Sequence, residues 1–313
     1  MPKHSILLAD DIENQTDSGK RRSQAIRGAG SFLAQRLNVG IELLYVEDIN
    51  AYPHSRYDAL RIREWHSQHQ KRLEEVSRRF QDPVKYTLKF GSPAERILKA
   101  VRSTPSPELV VVGTQGQKGL KRLLIGSVAE EVIRHARRPV MVIGPEAQGT
   151  GWNFNTKKQL KILVATDLGR NSRAAEHYAL SLAKRIGGAI VLFHCLGESF
   201  RRIMTDCSMV SGWVPLNLEE ILAGIKEDAI KAIEQKVRFF EKHNVPCYYK
   251  CDDKQIASAC SIYQEGEKDY SFVVMGTHGR NVLLNAFFGS TARETILNAS
   301  VPVITVHSVK YKL

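Results

Sequence analysis

Three landmarks occur twice in this chain, in the same order. Ile6-Leu7-Leu8-Ala9-Asp10-Asp11 returns as Ile162-Leu163-Val164-Ala165-Thr166-Asp167. Gly113-x2-Gly116-x9-Gly126-Ser127 returns as Gly276-x2-Gly279-x9-Gly289-Ser290. Pro139-Val140-Met141-Val142-Ile143 returns as Pro302-Val303-Ile304-Thr305-Val306. The last two pairs lie 163 positions apart and the first pair 156, so the second copy has a net gain of seven residues in its middle. A period this long excludes a short solenoid repeat and constrains the chain to two copies of one domain.

Within each copy, short apolar runs alternate with helical spacing. The first copy reads as strand 6–10, helix 17–37, strand 40–46, helix 57–80, strand 84–89, helix 93–102, strand 109–112, helix 127–136 and strand 139–143. The second reads as strand 161–166, helix 171–186, strand 189–195, helix 217–243, strand 246–251, helix 254–265, strand 271–275, helix 290–298 and strand 302–307. Ala25, Ala29, Phe32, Leu33 and Leu37 supply the apolar stripe of the first helix. Such alternation predicts a parallel sheet covered by helices on both faces, wound right-handed into a doubly wound fold. The expected domains are 1–145 and 160–313, joined by a linker 146–159 of low periodicity. Ligands of doubly wound sheets sit beyond the C-terminal strand ends. Asp11 and the loop after Val112 both fall there.

The glycine loops are the chemical centre of this reading. Val110-Val111-Val112 ends in Gly113, and Gly126-Ser127 opens a helix. Glycines let backbone approach an anion, and free N–H groups at a helix start favour negative charge. Ser127 and Ser290 are expected to cap their helices. A strand-to-helix turn is the plainer role, but a turn needs one glycine and three recur here at fixed spacing. Neither loop has the spacing of a Walker A motif, and no Rossmann fingerprint follows the first strand. Asp11 and Asp167 serve either as turn residues or as polar contacts to a ligand. Lys118, Lys121, Arg122 and Arg280 add charge to the loops or lie on solvated surface. His278 replaces Gln115 and is expected to edge the pocket. No triad and no paired carboxylates stand out for catalysis.

The net charge of +12 raises nucleic acid as a partner. The charge is spread over both copies, however, and no recognition helix, zinc finger or aromatic-basic motif accompanies it, so nucleic acid is not the expected partner. No apolar run reaches the roughly 20 residues of a membrane span. The N-terminus passes into a strand without the apolar core of a secretion signal, so the expected location is the cytoplasm. Five cysteines, all in the second copy, fit buried free thiols better than a disulfide framework or a zinc site.

Val112-Gly113-Thr114-Gln115-Gly116 through Gly126-Ser127-Val128-Ala129, and Met275-Gly276-Thr277-His278-Gly279 through Gly289-Ser290-Thr291-Ala292, resemble the ATP-binding signature of universal stress proteins. Ile6–Asp11, Leu43–Asp48, Gly91-Ser92-Pro93-Ala94 and the last strand resemble that family too, in order. The resemblance covers nearly the whole chain as a tandem member. It implies two five-stranded parallel sheets of order 3-2-1-4-5, each binding ATP, with Mg2+ or Mn2+ as companion ion, between strands one and four. In the first copy it implies a site lined by Asp11, Val46, Val112, Gly113, Gly116, Gly126, Ser127 and Val128. In the second the matching residues are Asp167, Cys195, Met275, Gly276, Gly279, Gly289, Ser290 and Thr291.

The resemblance further implies edge-to-edge pairing of Val140–Ile143 with Val303–Val306 within the chain, and it allows a homodimer and a protein partner. The second copy departs from the pattern where Cys251-Asp252-Asp253-Lys254 replaces the Gly-x-Pro turn, since carboxylates facing a polyphosphate would repel it. The first copy is therefore expected to hold the better site. The insertion 199–216, with Met204, Met209 and Trp213, is read as a lid, a partner surface or a plain packed loop. The expected function is a nucleotide-responsive regulator of stress adaptation. A slow ATPase or phosphotransferase, and a scaffold without nucleotide, are the alternatives.

Overall fold

The computed structural model describes residues 4–48, 59–114, 125–148, 160–197, 200, 205, 218–253, 257–266, 269–277 and 289–307, with residues 59–62 described by their backbone alone. The chain divides into two compact units, Met1–Asn155 and Thr156–Leu313.

The first unit runs β1 (Ser5–Ala9), α1 (Asp17–Leu37), β2 (Gly40–Glu47), α2 (Ala59–Ser77), β3 (Lys85–Phe90), α3 (Pro93–Val101), β4 (Leu109–Gly113), α4 (Ser127–His135) and β5 (Val140–Ile143). Its strands are all parallel, in the order β3-β2-β1-β4-β5. The second unit runs β6 (Lys161–Ala165), α5 (Arg173–Ile186), β7 (Ala189–Cys195), α6 (Leu218–Lys242), β8 (Cys247–Asp252), α7 (Ser258–Gly266), β9 (Phe272–Gly276), α8 (Ser290–Asn298) and β10 (Val303–Val306). Its order, β8-β7-β6-β9-β10, is the same topology, again parallel throughout. Each sheet is therefore the five-stranded doubly wound sheet expected from the alternation.

Burial explains the strand sequences. Ile6, Leu7, Leu8 and Leu109 to Val112 are all almost fully buried, as are Ile162 to Val164 and Phe272 to Val274. Strands covered on both faces need apolar side chains at every position, not every second one. The helices start and stop for local reasons. Thr16 caps α1, its hydroxyl accepting from Gly19 N at 3.1 Å. Pro93 stands in the first turn of α3, where its missing N–H costs nothing. α1 and α5 both end on a left-handed residue, Asn38 (φ 54°) and Gly187 (φ 70°).

The strand registers locate the length differences between copies. Ser5 pairs with Gly40 and Lys161 with Ala189, so β2 and β7 differ by 149 positions where β1 and β6 differ by 156. Lys85 and Tyr248 then restore the offset of 163. The net seven residues are thus a loss of seven between the end of the first strand and the position of Ser23, and a gain of fourteen between β7 and β8. Two expectations shift in consequence. α5 starts at Arg173, because Asp167 Oδ1 accepts from Gly169 N at 2.8 Å and from Ser172 Oγ at 2.8 Å, holding 167–172 as a turn. Part of the expected linker is structured: Glu146–Gln148 forms a 3-10 turn that packs against α1 and buries Ala147.

Candidate functional site

In the first unit, Asp11 follows β1, Val46 lies near the end of β2, and Val112-Gly113 ends β4. β1 is hydrogen-bonded to both β2 and β4. These residues therefore converge at the C-terminal edge of the sheet, with the start of α4 completing the group. Val112 is buried as the floor, Val46, Gly113, Gly126 and Val128 are half-buried, and Ser127 is exposed. The second unit repeats the pattern: Met275 is buried, Asp167, Cys195, Gly276, Gly289 and Thr291 are half-buried, and Ser290 is exposed. Gly116, Gly279, Gln115, His278, Lys118, Lys121, Arg122 and Arg280 lie outside the described residues, as do Met204, Met209 and Trp213.

The helix starts differ from the capping expected of Ser127 and Ser290. Each serine is the first residue of its helix, and the glycine before it is the cap, with no side-chain bond. Gly126 has φ 93°, a conformation that a side chain strains, whereas Gly289 has φ −61°. Glu130 N donates to Gly126 O, and Arg293 N to Gly289 O, both at 3.0 Å. The amides of the first turn precede these bonds and have no intrahelical acceptor, which is the arrangement that favours an anion. Gly289 N is used differently: it donates to Thr277 O at 3.0 Å, closing the second loop at its base.

The two first-strand aspartates are held differently. Asp11 Oδ2 lies 3.5 Å from Arg22 Nη2, and about half of the Asp11 side chain is exposed (49%) against 6% for Arg22. Burial raises the Asp11 carboxyl above its ordinary value, with Arg22 pulling the other way. Asp167 Oδ1 is bound within its own turn, while Asp167 Oδ2 is buried and has no hydrogen-bond partner.

Beneath each site lies a buried polar seam that has no signature in the glycine motif. Asp10 Oδ1 accepts from Ser23 Oγ and Asp10 Oδ2 from Arg27 Nε, both at 2.6 Å. In the second unit Thr166 takes the strand position, Ser172 lies 3.0 Å from its hydroxyl, and Thr166 donates to Glu176 Oε1 at 2.6 Å. Glu176 Oε2 then meets Lys236 of α6 at 2.7 Å. The carboxylate has moved from strand to helix, and its cation from the adjacent helix to a more distant one. Thr114 and Thr277 are further anchors. Both are buried, and their amides donate to the last strand, at Ile143 O (3.1 Å) and Val306 O (3.2 Å). Their recurrence directly after Gly113 and Gly276 was the sequence signal for them.

The expected clash of two carboxylates in the second site takes another form. β8 extends through Asp252, so Asp252 lies in the ladder beside β7 and not in a turn. Asp253 is paired with Lys226 of α6 at 2.5 Å. Asp252 pairs in register with Cys195 and helps burial push that thiol up to about 12. Of the cysteines, Cys247 is buried, while Cys195, Cys251 and Cys260 are free and partly accessible; Cys207 lies outside the described residues. Among the described residues, no group of three or more His, Cys, Asp or Glu is placed to hold a metal ion, and no helix is long and apolar enough to cross a membrane.

The family model described as the universal stress protein family matches residues 4–144 and again 160–307. The chain belongs to the universal stress protein family. It is similar to a universal stress protein of Mycobacterium tuberculosis, 27% identical over 223 residues that cover 71% of this chain and 68% of that one. A universal stress protein of Mycolicibacterium smegmatis is 24% identical over 232 residues, with the same coverage. Among solved structures, a universal stress protein from Archaeoglobus fulgidus aligns over 98% of this chain and 97% of its own, with a TM-score of 0.63 and 17% identity. A structure titled as a putative universal stress protein from Pseudomonas aeruginosa aligns over 97% and 93%, with a TM-score of 0.59 and 17% identity. At that identity the structural likeness speaks for the universal stress protein fold alone.

Proposed function

We propose that each copy holds an adenine nucleotide, ATP in the leading case, and that the chain is a cytoplasmic, nucleotide-responsive regulator of stress adaptation. The observation that carries this reading is the matched accessibility of equivalent residues. In both copies a buried strand floor is ringed by a half-buried glycine, a half-buried residue from the second strand, and an exposed serine at a helix start. Backbone amides at that start suit phosphate oxygens, and the half-buried apolar positions suit a base. A divalent cation would arrive with the phosphates. The residues match a role of holding more closely than one of turnover, since the described residues of the site present amides and carboxylates without a nucleophile paired to a base.

The proposed domain limits are 1–145 and 160–313. On the sequence repeat, edge pairing of Val140–Ile143 with Val303–Val306 belongs to the same reading, and signalling would pass to a protein partner.

Equilibrium dialysis of the purified protein against ATP tests the assignment. Gly126→Val and Gly289→Val are each expected to remove one bound nucleotide per chain, because a side chain there blocks backbone approach. Retention unchanged in both variants would overturn the reading.

A further inference from the structure

Arg22 stands at the end of the segment between the first strand and Ser23, in which the first copy is seven residues longer. Eleven residues separate Asp11 from Ser23, whereas four separate Asp167 from Ser172, and Ser23 and Ser172 make equivalent contacts to the strand end. By that register Arg22 corresponds to Asn171. The additional residues carry α1 back to Asp17, while α5 starts at Arg173. This places Arg22 inside a helix, over the crevice between β1 and β4.

The side chain takes up both groups that the first site would offer a ligand. A Cβ on Gly113 would stand 2.5 Å from Arg22 Cγ and Cδ, so the arginine stem lies directly on the glycine. The guanidinium reaches Asp11 Oδ2 at 3.5 Å and Thr114 O at 3.5 Å. It is almost fully buried, yet among the described residues its five donors have only these two long contacts, a weakly held arrangement for a buried cation. In the second unit the matching aspartate keeps Oδ2 buried and without a partner, and a neutral Asn replaces the arginine.

We propose that Arg22 is a built-in occupant of the first nucleotide site, so that the second copy loads first and the first copy loads only after Arg22 swings out. This rests on the nucleotide reading above and deepens it. It also reverses the ranking drawn from the motifs alone. The bound ligand is an anion in both copies, but the first copy has to displace a guanidinium from Asp11 and from the face of Gly113. A closed state favoured about tenfold weakens apparent affinity by the same factor. Once displaced, the weakly bonded guanidinium is free to meet a phosphate, so the two sites differ in charge as well as in order.

The test is photolabelling of the full chain with 8-azido-ATP over a concentration series, followed by peptide mapping, alongside ATP titration by calorimetry. The wild-type protein is expected to label the second copy at about tenfold lower concentration than the first. Arg22→Ala is expected to bring the first copy to within threefold of the second without changing the second. Equal labelling of the copies in the wild type would overturn the inference, and needs no variant to fold. So would Arg22→Ala leaving first-copy labelling unchanged or weaker, the outcome for an arginine that is simply a phosphate ligand; in these cases the nucleotide reading stands. Failure of both copies to bind or label in both proteins would remove the nucleotide reading and this inference with it.

Discussion

Asp10 Oδ2 accepts a 2.6 Å hydrogen bond from Arg27 Nε, tying the end of the first strand to the second turn-pair of α1 through a carboxylate side chain that solvent does not reach. Ser23 fills the other oxygen. A pair this deep is sensitive to loss of one member, because the remaining charge has no water to turn to. Arg27→Met is expected to cost about 3–5 kcal/mol in urea denaturation of the first unit, whereas Asp10→Asn with Arg27→Met together should recover much of that loss. A double-mutant cycle reads the coupling directly.

Gly126 and Gly289 occupy the same motif position yet differ in backbone. The first has φ 93° and the second φ −61°. Gly126→Ala is therefore expected to cost about 1–3 kcal/mol in strain, while Gly289→Ala should change stability by well under about 1 kcal/mol. Thermal melts of the two variants provide the comparison. Equal effects would show that the first-copy glycine does not hold its positive φ in solution.

Helix α1 lies close on the sheet at Gly30, where an added Cβ would run into the Leu8 side chain. Leu8 is fully buried and has nowhere to retreat. Gly30→Ala should cost about 1–3 kcal/mol by overpacking, despite the better helix propensity of alanine. The midpoint of chemical denaturation reads this out.

Cys195 and Cys247 give the protein an alkaline limit. Burial raises both thiols from 9.0 to about 12, helped by Asp252 at Cys195 and by Glu241 at Cys247. The folded state therefore keeps protons that the unfolded chain gives up above about pH 9. The stabilisation is complete below that pH and is lost as pH rises toward 12, with a slope of at most about 1.4 kcal/mol per pH unit for each thiol. Cys247→Ala should flatten the fall in stability between pH 9 and 11, measured by urea midpoints. Alkylation by iodoacetamide at pH 8 should be slow at both positions in the folded protein and fast in urea.

The parts legible in the sequence share one property: they depend on backbone periodicity. Continuous apolar runs such as Leu109–Val112 disclosed strands to within a residue, and the repeated landmarks disclosed their order. Arg22 was not legible, because its place depends on the seven additional residues between Asp11 and Ser23, which no strand motif registers. Lys236 meeting Glu176, 60 residues away, was equally hidden, since the contact depends on how α6 lies over α5. Ser127 was misplaced by one residue for a simpler reason: serine has a strong capping preference, but at the φ of 93° found before α4 only glycine fits without strain. Ser290 likewise stands one residue after its cap, although Gly289, at φ −61°, does not demand a glycine. The carboxylates of 252 and 253 were read as a turn, whereas the ladder with β7 draws Asp252 into the strand.

β3 and β8 close one side of each sheet and carry lysines along their length: Lys85 and Lys89 on the first, Lys250 on the second. Lys85 pairs with Glu42 while staying mostly exposed, and Lys250, about half exposed, pairs with the buried Glu265. On β8, Lys250 directly follows Tyr248, 63% exposed, and Tyr249. A bare strand of that kind is a template on which another chain can add itself. Charged, well-hydrated side chains make such addition costly, so the lysines act as guards of colloidal behaviour. The consequence reaches the handling of the protein: acetylating or neutralising these few side chains would leave each fold intact and yet turn a dispersed solution toward fibrous self-association.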